Sequence, residues 1–104
     1  MAWFRRRRTS TAADVSDATA RAALDHLREF VTTRHGVEAY VEPATNVTQT
    51  TVVLVALTGE WTRRKVPDPQ TARSIARDLG IPVYDVQLTG YPRRMREWNS
   101  RKRG

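Results

Sequence analysis

One stretch of this chain, Thr50 to Leu57, is β-branched and apolar on both faces. A strand of that composition has to be covered on both sides. The chain has 104 residues and no cysteine, so the cover must come from packing and not from disulfides. With the arginine-rich ends set aside, roughly 80 residues are left to build a core, enough for one modest domain.

The flanking segments supply the cover. Residues 10–35 predict an amphipathic helix, because Ala20, Leu24, Leu27 and Val31 recur at helical spacing and Ala23 and Phe30 widen the stripe. Thr11-Ala12-Ala13-Asp14 fits a capping box, Asp14 and Asp17 suit the helix N-terminus, and Arg34, His35 and Gly36 suit its end. Val37 to Glu42 alternates as a half-buried strand does. Pro43 to Thr48 is a turn, and Thr58-Gly59 is a tight one. Glu60 to Val66 returns as a hairpin arm, with Trp61, Arg63 and Lys65 on one face and Thr62, Arg64 and Val66 on the other.

Pro67 and Pro69 close that strand. Asp68 or Thr71 caps a helix over about 70–79, with Ala72, Ile75, Ala76 and Leu79 inward and Gly80 as its stop. Val83 to Leu88 predicts a last strand. Gly90-Tyr91-Pro92 breaks the chain before a short helix or tail in which Tyr91, Met95 and Trp98 share a face. The expected fold is a single small α+β domain in the order α-β-β-β-α-β, a mixed sheet with helices packed on it. The helix within 67–81 marks that connection as a crossover between parallel strands.

Charge divides the chain differently. The whole carries +7, yet residues 1–9 contribute +4 through Arg5, Arg6, Arg7 and Arg8, and residues 91–104 contribute +5. That leaves 10–90 slightly acidic, a domain between a basic N-terminal arm and a basic C-terminal tail. Such asymmetry points to a polyanionic partner. Arginine outnumbers lysine 16 to 2, a bias that a GC-rich genome produces, and arginine forks suit phosphates and base faces.

Aromatics accompany the charge. Trp3-Phe4 precede the first arginines, Trp61 precedes Arg63-Arg64-Lys65, Tyr91 precedes Arg93-Arg94, and Trp98 lies between Arg96 and Arg101. Three readings follow. The first is non-enzymatic nucleic-acid binding, with Trp61 and Trp98 stacking on bases. Its phosphate contacts would be Arg5–Arg8, Arg63, Arg64, Lys65, Arg93, Arg94, Arg96, Arg101, Lys102 and Arg103. The second is an anionic membrane surface held by the aromatic and polybasic N-terminus. The third is an adaptor docking on an acidic protein.

No catalytic or metal set is visible, and no cofactor is expected. His26 and His35 lie nine residues apart on one helix, Glu38 and Glu42 follow strand alternation, and no serine has a neighbouring base. A helix-turn-helix at 71–86 is opposed by Pro82 and the β-rich Val83–Val86. No apolar run approaches the length of a membrane span and no signal sequence is present, so the expected location is the cytoplasm.

The element order, with Lys65 at the end of the third strand, resembles the core of the restriction-endonuclease-like, or Holliday-junction-resolvase-like, nucleases over about 18–88. In that family an Asp on the second strand and an acid two residues before the Lys hold Mg²⁺. Here those places read Thr50-Thr51 and Arg63. The resemblance therefore implies a catalytically degenerate, binding-only member.

Overall fold

The computed structural model describes residues 11–103, with side chains from residue 20 onward. Arg5–Arg8, Trp3-Phe4 and the capping side chains at 11–17 lie outside the described residues.

The order α-β-β-β-α-β is as expected, followed by further helix. Helix α1 spans Thr11–Thr33, β1 Glu38–Glu42, β2 Thr51–Val55, β3 Trp61–Lys65 and α2 Pro69–Leu79. Strand β4 spans Val83–Asp85, α3 is the single turn Val86–Thr89, and α4 spans Arg93–Arg103. The sheet order is β3-β2-β1-β4. β1 to β3 form an antiparallel meander, and β4 joins β1 in parallel. The connection through α2 thus carries the chain from one edge of the sheet to the other, across β2 and β1.

Both central strands are covered on both faces. On one face α1 and α2 lay Leu24, Leu27, Phe30, Ala72, Ile75 and Ala76 against Ala39, Val41, Val52 and Leu54. On the other, Met95 of α4 packs on Tyr40, Val53 and Val55, with Trp61 and Tyr91 beside them. The alternation in Val37–Glu42 suggested one buried face, but Ala39, Tyr40 and Val41 are all buried. Tyr40 reads as the polar-face residue of that strand, yet its ring lies under α4.

Local signals explain most boundaries. α1 stops two residues earlier than its pattern, where the Thr32 and Thr33 hydroxyls donate to the Glu29 carbonyl at 3.0 and 2.7 Å. α2 starts at Asp68, whose carboxylate accepts the Thr71 amide at 2.7 Å. It ends at Gly80 in the left-handed conformation.

The last strand is shorter than expected. Val83 to Leu88 is expected as one strand, but only Val83–Asp85 pair with Ala39–Val41. Beyond Val41, β1 has one residue before Pro43, which cannot donate to a ladder. Asp85 then caps the following turn, its carboxylate accepting the Gln87 amide at 2.8 Å. Val86 to Leu88 are therefore helical.

The β2–β3 turn is where α4 rests. Gly59 has φ +97°, and a Cβ there would lie 2.0 Å from the Arg94 carbonyl oxygen and 2.9 Å from Trp98 Cβ. Gly59→Ala should therefore both strain the turn and push α4 off the sheet, destabilising the protein by at least about 2 kcal/mol. A chemical-denaturation midpoint indistinguishable from that of the parent chain would contradict this contact.

Candidate nucleic-acid interface

β3 is an edge strand carrying three consecutive cations, Arg63, Arg64 and Lys65. The Ala56 amide donates to the Glu60 carbonyl and the Val66 amide to the Thr50 carbonyl, at 2.8 and 2.9 Å. Even-numbered residues of β3 thus form the ladder with β2. The backbone groups of Trp61, Arg63 and Lys65 turn to the open edge. Side chains alternate as the sequence indicates, with Trp61, Arg63 and Lys65 toward α4 and Thr62 and Arg64 toward α1.

An aromatic and cationic line runs along this edge. Lys102 Nζ stands 4.7 Å, and Arg101 Cζ 5.8 Å, from the centre of the Trp98 ring. Asn99 accepts a hydrogen bond from Trp61 Nε1 at 2.8 Å. The Arg63 guanidinium lies 5.0 Å from the Trp61 ring centre. Lys65 follows two residues on, exposed and without an ion-pair partner among the described residues. β3 covers about 13 Å of this line at the usual strand rise, and α4 is about 16 Å long.

Several predicted phosphate contacts are held by the protein itself. Arg63 donates to both oxygens of Glu42, at 2.7 and 2.9 Å. Thr51 and Tyr91 hydroxyls donate to the same carboxylate. Burial would raise the Glu42 pKa, but the bonds from Arg63, Thr51 and Tyr91 outweigh it and hold the carboxyl below its ordinary value. Arg94 is further inside. Its Nε donates to the Ala56 carbonyl at 2.8 Å, and its Nη2 to Glu38 at 2.7 Å and to the Val55 carbonyl at 3.3 Å. Arg96 is tied to the Tyr91 carbonyl at 2.8 Å and Arg101 to the Thr58 carbonyl at 3.2 Å. Arg93 and Arg103 are exposed. The structure thus brings Trp61, Trp98, Arg63, Lys65, Arg101 and Lys102 onto one line. Arg64 faces α1, and Arg94 serves the core.

Three participants had no functional signal in the sequence. Glu42 looks like ordinary strand alternation, Asn99 is one polar residue among charges, and His26 sits on a helix far along the chain from β3. His26 Nε2 lies 2.6 Å from the Thr62 hydroxyl. Its pKa is lowered, first by burial and then by Arg64, with Arg34 adding to the effect and Glu29 opposing it. No group of His, Cys, Asp or Glu able to hold a metal ion occurs among the described residues. At the place where a nuclease of the resembled family would have its acid, the Arg63 guanidinium sits bonded to Glu42. Among those residues no helix is long and apolar enough to cross a membrane. Comparison with protein-family models, curated proteins and solved structures finds no significant match.

A histidine whose folded pKa is lowered favours the unfolded state once protons become available. Stability should therefore be unaffected by His26 above its ordinary pKa of 6.5 and should decline as pH falls below it. Urea midpoints followed from pH 7.5 to 5.5 should drop more for the parent chain than for His26→Gln. Parallel curves would remove His26 from the account.

Proposed function

We propose that this protein binds nucleic acid without catalysing a reaction on it, through the β3 edge and α4 together with the basic arms. The observation that carries the reading is the line from Lys102 and Trp98 through Trp61 to Arg63 and Lys65. Planar side chains with cations stacked beside them provide what a sugar-phosphate strand with accessible bases binds: π-faces for bases and charge for phosphates. The two parts are fixed relative to each other by the Trp61–Asn99 bond, so a ligand spanning them meets a preformed surface. Net charge supports the same reading, since residues 91–104, which include α4, contribute +5. The likeness to degenerate nuclease cores fits a binding role, with Lys65 orienting a phosphate and Arg63 in place of the metal-holding acid. A cytoplasmic setting belongs to this proposal.

Affinity for DNA or RNA should fall steeply with salt. With 5 to 8 phosphates neutralised, log K against log salt should slope at roughly −4 to −7. Lys65→Ala combined with Lys102→Ala should flatten that slope by about 1.5 and leave the melting temperature unchanged. Arg94→Ala should leave the slope unchanged and lower the melting temperature, because its guanidinium satisfies two carbonyls and Glu38 inside the fold. A slope near zero on both DNA and RNA would overturn the proposal.

A further inference from the structure

Between α1 and the β3 edge lies an open groove of about 580 Å³, within the range of small-ligand sites. Ala22 and Ala23 leave room on the helix side, and His26, Arg63, Arg64 and Lys65 stand around it. No carboxylate is among its described lining residues. Three other depressions differ in this respect, one holding Glu42, one Glu29 and Glu60, and one Glu60. The groove is thus apolar on one side, cationic on the other, and bordered by the outward backbone groups of Arg63 and Lys65, of which the Arg63 carbonyl accepts from Arg64 Nη1 at 2.7 Å.

We propose that this groove receives an unpaired nucleotide, so that the protein binds single-stranded nucleic acid in preference to duplex. The proposal rests on the nucleic-acid reading and specifies its substrate class. The apolar wall of Ala22 and Ala23 suits the face of a base. The outward Arg63 and Lys65 amides and the Lys65 carbonyl suit its hydrogen-bonding rim, which is occupied when the base is paired. Arg64 and Lys65 suit the phosphates on either side. Trp61, with Arg63 over its ring, continues the path toward Trp98 as a stacking platform. Duplex readers instead push a helix or a two-stranded ribbon into a groove of the duplex. Here β3 is a single strand at the sheet edge, with the groove on its α1 side, and offers no such projection.

The test is fluorescence anisotropy of the full chain with labelled oligo(dT), oligo(rU) and a blunt DNA duplex of equal length, at one salt concentration. The single strands should bind at least about tenfold tighter than the duplex. Ala22→Glu places a carboxylate at the groove from an exposed helical position, and Gln70→Glu adds the same charge on α2 as a control. Ala22→Glu should lose about tenfold in single-strand affinity, with the control and the melting temperature unchanged. Duplex binding equal to or tighter than single-strand binding would overturn this inference and leave the nucleic-acid reading standing. So would an Ala22→Glu protein that binds as its control does. Binding of neither form would overturn both.

Discussion

Arg94 holds the two halves of the molecule together. The second face of the sheet presents Tyr40, Val53 and Val55, which need a cover. Among the described residues the segment that supplies it is α4, an 11-residue helix with a single buried apolar side chain, Met95. Burial of that one residue is a weak reason for a strongly basic helix to stay on a sheet. The Arg94 guanidinium adds bonds to Glu38 and to the carbonyls of Val55 and Ala56 at the mouth of the hairpin. Those are charge-assisted bonds made at the rim of an apolar contact, where water competes less well. Gly59 makes the approach possible by having no side chain where the α4 backbone passes.

Glu42 plays the matching part at the other end of the same face. It gathers Arg63, Thr51 and Tyr91 from β3, β2 and the segment leading into α4. The two glutamates of β1 therefore sort the basic residues into two populations. Arg94 is withdrawn into the framework, whereas Arg63 is fixed in place but still half-exposed beside Trp61. Lys65, Lys102, Arg93 and Arg103 stay at the surface. Net charge alone overstates the number of cations that a ligand can meet.

The strands and helices were legible because their patterns are local. Thr50–Leu57 announced a doubly covered strand, and the two faces of β3 followed from alternation. The end of β4 was not legible, since the strand-favouring composition of Val83–Leu88 runs past the point where β1 still has residues to pair. Nor were the roles of Arg63 and Arg94. Arg94 meets Glu38 56 residues away, and Arg63 reaches across β2 to Glu42, two residues along from its own row. Both depend on strand order and on the docking of α4, which no short-range spacing encodes. The groove beside His26 depends in the same way on where α1 crosses the sheet. The sequence did place the cations and tryptophans on the right elements, but it did not separate those that build the fold from those that face outward.

The position of α4 late in the chain has a consequence for biogenesis. During synthesis the meander, α1 and α2 can assemble before α4 has emerged, since their contacts lie within residues already made. Until then Tyr40, Val53 and Val55 on one side of the nascent sheet lack the cover that α4 provides. The closing contacts, Trp61 with Asn99 and Ala56 with Arg94, each span 38 residues. The interval in which this apolar face lacks its helical cover thus ends only when α4 docks.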